Sequence, residues 1–274
     1  MMSTERSTVH ELPGSGFETA RMPGHWLLAR LGKRVLRPGG LGLTRELLGG
    51  LAIRPDDEVI EFAPGLGATA KLILARKPSR YIGVERDAEA MAWARDNLPQ
   101  RADVSIAVGT ADATGLPAAS ASVVLGESLL SMNDQAQKQA IVAEACRLLR
   151  PGGRYGIHEL CLVPESLPPE RRQAIHSELS EAAHVGAHPL PAWDWTALLE
   201  SAGLHVIQIG YAPMHLLRPR RMIADEGLRG ALRVAGNILR DRTARRRVLA
   251  MHRVFERHRD NLRGIYLVAE KPAV

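Results

Sequence analysis

The sequence is poor in cysteine and in aromatic residues, and it has no long hydrophobic run. Its 274 residues include two cysteines, Cys146 and Cys161, which are too few for a disulfide framework or for a cysteine-based metal site. No apolar run approaches the ~20 residues of a membrane-spanning helix, and the first residues do not follow the pattern of a signal peptide. We therefore expect a cytoplasmic protein that holds no metal ion.

Lysine is also scarce, and the excess of basic residues is confined to one segment. The formal net charge is +6, and residues 213–263 contain fourteen arginines against five acidic residues. Such a segment suits a solvent-facing lid over a substrate, a helix lying on anionic lipid, or a nucleic-acid surface. Phe255 is its one aromatic residue, which argues against stacking on single-stranded nucleic acid.

From about residue 40 the sequence alternates between buried strands and amphipathic helices. The strand-like runs are DEVIEFA, YIGVER, DVSIAVG, SVVLGES, RYGIHELCLV, HVIQIGYA and GIYLVAEK. Strands separated by helices form a mainly parallel sheet with helices on both faces. We therefore predict an α/β, Rossmann-like, doubly wound fold with a seven-stranded sheet, mostly parallel, in which the last strand pairs antiparallel.

The same pattern divides the chain into four segments. Residues 1–40 are predicted to be a tail, disordered or loosely held over the first 20 residues, followed by a helix with Trp26, Leu27, Leu31 and Val35 at helical spacing. Residues 41–212 form the core, and residues 264–274 give its last strand. Residues 213–263 are a basic helical lid insertion, and a further helix is inserted within residues 164–190.

Two apolar stripes within the lid insertion predict amphipathic helices that pack over the mouth of the sheet. The first stripe comprises Leu228, Ala231, Leu232, Ala235, Ile238 and Leu239. The second comprises Val248, Leu249, Met251, Phe255 and His258.

The segment VIEFAPGLGATA, residues 59–70, is a strand, a glycine-containing turn and a helix, which is a ligand-binding arrangement. A phosphate-binding P-loop would need lysine and then serine or threonine after the last glycine, but Ala68 and Thr69 follow Gly67. Residues 65–70 satisfy the dinucleotide pattern G-x-G-x-x-A, and Glu85 lies 20 residues beyond Gly65, where a ribose-binding acid belongs. A nicotinamide dinucleotide and S-adenosylmethionine (SAM) both fit these features.

Three further features favour SAM. Glu61 precedes the turn, where a carboxylate would repel a pyrophosphate but suits the ammonium or sulfonium group of SAM. Asp112, in GTADATGLP, follows the third strand and can accept a hydrogen bond from an adenine amino group. LLRPGGRYGI, residues 148–157, forms a helix–turn–strand unit before the fifth strand.

Together these segments resemble the class I SAM-dependent methyltransferases, in the broad group that includes quinone-biosynthesis and other small-molecule enzymes. The resemblance covers about residues 41–212 and the last strand. It implies a methyl transfer from SAM to a small, hydrophobic acceptor, giving S-adenosylhomocysteine (SAH), and an N-terminal segment that covers the cofactor. Lys33, Arg34 or Arg37 of that segment could reach the SAM carboxylate, although a solvated face is the simpler interpretation.

The resemblance also implies a set of cofactor-binding residues, in which Glu85 holds the ribose hydroxyls and Asp112 the adenine amine. The full set is Glu61, Ala63, Gly65, Gly67, Glu85, Arg86, Ala111, Asp112, Ala113, Gly126 and Glu127. Ala63 departs from the family, which often has glycine at this position.

Methyl transfer needs alignment of the acceptor and exclusion of water, and it needs a base only when the nucleophile arrives protonated. The candidates for such a base are Glu127, His158 and Glu159, of which His158 and Glu159 alternate in one strand, so that one of the two should face the site. His184 and His188 could line the acceptor site. A protein that binds SAM or SAH without catalysis, an enzyme acting on lipid at a membrane surface, and a NAD-dependent oxidoreductase remain as alternatives.

Overall fold

The computed structural model describes residues 12–273. The predicted disordered tail lies outside these residues over positions 1–11. Over residues 12–20 the chain forms turns, and two of these residues are hydrogen-bonded to a helix of the core. The backbone N–H of Gly14 donates to Oε2 of Glu89 at 2.6 Å, and the hydroxyl of Ser15 donates to Oε1 at 3.0 Å.

One sheet runs through the described residues and contains eight strands. In chain order they are β1 (Glu58–Phe62), β2 (Arg80–Glu85), β3 (Val104–Val108), β4 (Ala121–Glu127), β5 (Leu149–Leu162), β6 (Leu190–Pro191), β7 (His205–Pro213) and β8 (Leu262–Glu270). The order across the sheet is β3-β2-β1-β4-β5-β8-β7, and the two-residue β6 pairs with β5 beside this path. β8 runs antiparallel to β5 and β7, whereas the other strands pair in parallel. The predicted fold is confirmed, with β6 as a short additional strand.

Helices cover both faces of this sheet. They are α1 (Gly24–Arg30), α2 (Gly40–Leu51), α3 (Ala68–Leu74), α4 (Ala88–Asn97), α5 (Gln135–Leu148), α6 (Pro169–Ala183), α7 (Ala192–Ser201), α8 (Pro219–Arg240) and α9 (Arg242–Arg257). In β1, Val59 packs in a cluster with α2, α3 and α4, whereas Ile60 and Phe62 pack in a second cluster with α5 and α7. Because both faces of the central strands are buried, these strands are apolar along their length.

The N-terminal helix is shorter than the sequence predicts, and α2 continues through a pair of glycines. α1 ends at Arg30, and Gly32 turns the chain with φ +104, so residues 33–39 do not continue the helix. α2 passes through Gly49 and Gly50 to Leu51. A Cβ atom at Gly50 would lie 2.4 Å from Oε1 of Gln208 in β7. This glycine therefore serves close packing between helix and sheet and does not end the helix.

The segment between β7 and β8 forms α8 and α9, as predicted, but the two helices bury their surfaces differently. In α9, Val248 and Met251 are buried as expected, whereas Leu249 is exposed, so the predicted stripe is wrong at that position. In α8 the predicted stripe is wrong for its leucines, because Leu228, Leu232 and Leu239 are 62%, 64% and 67% exposed. The helix packs through Val234, with Ile238 of the predicted stripe beside it. Among the described residues, no helix is long and apolar enough to cross a membrane.

Candidate active site

The candidate site lies at the carboxyl ends of β1 and β4, where the strand order reverses. Ligands of open α/β sheets bind at such a position. The turn from β1 to α3 contains three residues with positive φ, namely Ala63 (+50), Gly65 (+52) and Gly67 (+73). Ala63 thus adopts a conformation that favours glycine, which agrees with the glycine that the family resemblance implies at this position.

Next to this turn is a crevice of about 270 Å³. Among the residues predicted to bind the cofactor, those that line it are Glu61, Ala63, Gly65, Glu85, Arg86, Ala111, Asp112 and Glu127. Gly67, Ala113 and Gly126 do not line it. Gly67 is the N-cap of α3, Ala113 is exposed, and Gly126 is buried within β4.

Glu85 ends β2 and is held in place by backbone donors. Its Oε1 accepts from the N–H groups of Arg86 and Asp87 at 3.0 and 3.1 Å, and its Oε2 accepts from Gly65 at 3.3 Å. Burial raises the pKa of Glu85, although these hydrogen bonds act in the opposite direction. The turn therefore holds the Glu85 carboxylate in place in the wall of the crevice.

Glu61 is a buried acid that points from β1 into the bottom of the crevice. Its Oε2 accepts a hydrogen bond from the hydroxyl of Tyr81 at 2.7 Å. Burial raises the pKa of Glu61 to about 8, assisted by the charges of Glu127 and Glu85 and opposed by the Tyr81 bond and Arg37. A group of this kind favours a cationic ligand. The positive charge of the ligand offsets the cost of burying the ionised carboxylate.

Glu127 ends β4 and forms a compact cluster with four other side chains. Its Oε1 accepts from the hydroxyl of Thr44 at 2.6 Å and lies 2.8 Å from Nδ1 of His158. Its Oε2 contacts the guanidinium of Arg37 and the hydroxyl of Thr69. Burial alone would raise the pKa of Glu127, but the charge of Arg37 and the hydrogen bonds outweigh burial and hold it at about 2. A carboxylate this acidic and this fully engaged is a weak proton acceptor.

His158 is fully buried beside Glu127 and does not line the crevice. Its Nε2 accepts from the backbone N–H of Gly39 at 3.0 Å, so its proton is on Nδ1, which faces Glu127. Burial lowers the pKa of His158 despite the nearby carboxylate. The neutral imidazole therefore connects Glu127 to the start of α2, which is a positioning role.

Glu159, the next residue of β5, points to the opposite side, as the alternation predicts. Its carboxylate accepts from the backbone N–H groups of Leu129, Leu130 and Ser131 at 2.7 to 2.9 Å. Burial raises the pKa of Glu159, and these hydrogen bonds oppose the increase. The side chain thereby fixes the short 3₁₀ turn after β4.

A second cavity of about 120 Å³ adjoins the crevice and has an almost wholly apolar lining. We call it the apolar cavity. Glu159 lines it, together with residues from α1, α6, the loop after α6, the start of the β7–β8 insertion, and α9. Five residues line both cavities, so that the two share a wall: His25, Leu36, Ser128, Met132 and Val185. His184 and His188 line neither cavity.

The basic residues before α2 are not a solvated face. Lys33 is fully buried and forms ion pairs with Asp225 and Glu226 of α8 at 3.6 and 3.4 Å. Arg34 and Arg37 line the crevice. Sequence reasoning did not anticipate Arg37 as the partner of Glu127, and it also missed His25, Trp26 and Thr69, which line the crevice.

Comparisons with known proteins agree with this geometry. Residues 59–153 match the family described as Methyltransferase domain. Over 221 residues the chain is 33% identical to an uncharacterized protein of Haemophilus influenzae, covering 79% of this chain and 86% of that one. Over 164 residues it is 29% identical to 27-O-demethylrifamycin SV methyltransferase of Amycolatopsis mediterranei, covering 59% of each protein.

A solved structure shows the same fold. Geranyl diphosphate C-methyltransferase from Streptomyces coelicolor A3(2) has a TM-score of 0.61 at 16% identity, over 84% of this chain and 77% of that chain. The chain belongs to the class I SAM-dependent methyltransferases, and SAM is its cofactor. The buried acid Glu61 and the pre-oriented Glu85 fit the cationic and diol parts of this cofactor. Among the described residues, no cluster of histidine, cysteine, aspartate and glutamate could hold a metal ion.

Proposed function

We propose that the protein transfers the methyl group of SAM to a small, largely hydrophobic acceptor that binds in the apolar cavity. The observation that carries this proposal is the wall shared by the apolar cavity and the crevice. When bound, SAM supplies a methyl group on a good leaving group. The apolar lining excludes water and holds the acceptor at the correct side of the cofactor, and alignment of this kind is the main requirement of methyl transfer.

In this proposal Glu85 holds the ribose hydroxyls, Asp112 the adenine amine, and Arg37 the carboxylate of the methionyl group. Arg37 lies in the crevice wall close to Glu127 and Thr69. A guanidinium can bind two carboxylates at once because it has five N–H donors in a plane. Glu61 faces the ammonium and sulfonium side of the cofactor.

The placement of Glu61 predicts that SAM binding at pH 7 releases roughly one proton. With a pKa of about 8 the empty protein holds Glu61 protonated at pH 7, and a bound cation favours the carboxylate. Calorimetric titrations in two buffers with different ionisation enthalpies measure the release. Glu61→Gln should abolish it, and at pH 9 the wild type should show little. Equal heats in both buffers at pH 7 would contradict the assignment.

The proposed acceptor site is tested by narrowing the apolar cavity. A panel of small apolar alcohols, phenols, amines and thiols is first assayed for SAH formation. With any acceptor found, Ala187→Phe should lower kcat/KM at least about tenfold, because a ring fills space that the acceptor needs, while SAH affinity stays within about twofold. Ala197→Phe, on the exposed face of α7, is the matched control. Unchanged turnover in Ala187→Phe would place the acceptor elsewhere, and SAH binding without turnover of any compound would support a non-catalytic binder.

The exposed leucines of α8 favour a second candidate, an acceptor drawn from a membrane surface. Leu228, Leu232 and Leu239 lie within about 40° on one helix face, and Arg229 and Arg240 flank them. Apolar side chains flanked by arginine bind the interface of anionic bilayers.

Replacing these three leucines with serine tests the membrane candidate. We expect the wild type to sediment with vesicles of phosphatidylcholine and phosphatidylglycerol but not with phosphatidylcholine alone, and the triple variant to lose at least about 80% of this binding. The matched control replaces Ile207, Ile209 and Tyr211 of β7, also exposed, with serine. Equal sedimentation of wild type and leucine variant would exclude this surface.

A further inference from the structure

Two polar side chains in the wall shared by the crevice and the apolar cavity have unused hydrogen-bonding atoms. His25 lies in the first turn of α1, and Ser128 follows the last residue of β4. Both line both cavities. Among the described residues, neither Nδ1 of His25 nor Oγ of Ser128 has a hydrogen-bond partner, although both atoms are buried. A buried polar atom without a partner costs about 1–3 kcal/mol, which a ligand could offset.

The surrounding backbone holds both side chains in place. Ser128 has φ +54, a left-handed conformation that few residues with side chains adopt, and its N–H donates to the carbonyl of His158 at 2.7 Å. The imidazole of His25 packs at a tilt on Trp26, with ring centroids 4.7 Å apart. The other polar residues of the apolar cavity, Ser131 and Glu159, already have hydrogen-bond partners.

We propose that His25 and Ser128 together bind the hydroxyl group of an uncharged acceptor, whose apolar body fills the apolar cavity. A hydroxyl both donates and accepts, so it can satisfy the imidazole nitrogen in either tautomer and the serine hydroxyl at the same time. A carbonyl or an ether could only accept. This inference rests on the proposed function and adds to it the class of acceptor, a neutral alcohol or phenol.

The charge of the pair agrees with a neutral acceptor. Burial lowers the pKa of His25 to about 4, against the effect of the carboxylate of Asp87 and together with that of the guanidinium of Arg86. The imidazole is therefore uncharged at neutral pH. An alkylammonium or a carboxylate placed in the apolar cavity would lack a counter-charge from this pair, and its desolvation would be expensive.

Phenol and toluene provide a matched pair of probes, because they differ by a hydroxyl in place of a methyl group. An apolar cavity of about 150 Å³ can hold a ligand the size of benzene; the apolar cavity measures about 120 Å³ and adjoins the crevice, so single-ring compounds are the largest suitable probes. Their affinities for the SAH-bound protein are measured by calorimetry in sealed cells for the wild type, His25→Phe, Ser128→Ala and the surface control Ser120→Ala. We expect the ratio of phenol affinity to toluene affinity to fall at least about tenfold in His25→Phe and in Ser128→Ala, with toluene binding nearly unchanged.

The possible outcomes distinguish failure of the hydroxyl site from failure of the proposed acceptor cavity. A ratio that falls in both cavity variants but not in Ser120→Ala supports the hydroxyl site. Toluene binding with an unchanged ratio would overturn the hydroxyl site and leave the apolar acceptor cavity standing. Failure of both probes to bind the wild type would overturn the acceptor cavity, and the hydroxyl site with it. Retained SAH affinity shows that each variant is folded.

Discussion

Arg37→Met is expected to lower the free energy of unfolding by about 3–5 kcal/mol, since it leaves the buried carboxylate of Glu127 without its cation. The side chains of Arg37 and Glu127 are only 10% and 7% exposed. Urea denaturation at pH 7 measures the loss. In Arg37→Met/Glu127→Gln the buried charge is absent, so most of the stability should return. Arg101→Met removes a surface ion pair with Asp103 and should leave the free energy of unfolding nearly unchanged.

The free energy of unfolding that is lost in Arg37→Met should decrease as the pH falls. The pKa of Glu127 in the folded protein is about 2, below its ordinary value near 4.5. Its contribution to stability is therefore complete above about pH 4.5 and is lost as the pH falls towards 2. Wild type and Arg37→Met should converge in stability over this range. A constant difference between pH 7 and pH 2.5 would show that lost packing, and not charge, causes the destabilisation.

The second large effect is expected at the cofactor site, where Glu85→Ala should weaken SAH binding about 100-fold or more. The variant removes a charged acceptor of two ribose hydroxyls, each hydrogen bond to such a group contributing about 1.5–3 kcal/mol. It also leaves the N–H groups of Gly65, Arg86 and Asp87 without their acceptor. Calorimetric titration with SAH measures the change.

Two further variants provide comparisons for the SAH affinity of Glu85→Ala. Asp103→Ala removes a surface carboxylate that does not line the crevice and should leave SAH affinity unchanged. Asp112→Ala removes one proposed hydrogen bond to adenine and should have a smaller effect, of about tenfold. An SAH affinity in Glu85→Ala within threefold of the wild type would mean that the cofactor lies in the crevice in another orientation.

Local sequence features predicted the fold and the turn around the cofactor. A buried strand, a turn and a helix are contiguous, so the apolar period and the glycines of residues 59–70 were enough to place Glu61 and Glu85 at one edge of the sheet. The antiparallel last strand followed from its late position after the insertion. Each of these features depends on residues close together in the chain or on a general rule of parallel sheets.

The partners of the buried charges could not be predicted in this way. Arg37 and Glu127 are 90 residues apart, and no periodicity links a residue before α2 to the end of β4. The basic segment before α2 looked like a solvated face because lysine and arginine are most often exposed. Lys33 is buried only because Asp225 and Glu226, some 190 residues later, surround its ammonium group.

The prediction that the apolar stripe of α8 packs on the core was wrong for a different reason. Helical spacing shows that Leu228, Leu232 and Leu239 share a face, but it does not say what that face meets. The break at Gly227, with φ +71 inside the helix, changes the direction of the stripe relative to the residues before it. The prediction assumed that an apolar face must face the core, and here the contact with the core is made through Val234.

The pairing of β7 with β8 determines how the segment between these two strands can change during evolution. Pro213 and Arg263 are register partners in adjacent strands. The segment that contains α8 and α9 therefore begins and ends at neighbouring positions of the sheet, as a long hairpin loop does. It contributes to the wall of the apolar cavity, whereas strand ends and the turns that follow them build most of the crevice. Mutation can therefore lengthen, shorten or remodel this segment without changing the register of the sheet, provided that Asp225 and Glu226, which hold Lys33 before α2, are retained.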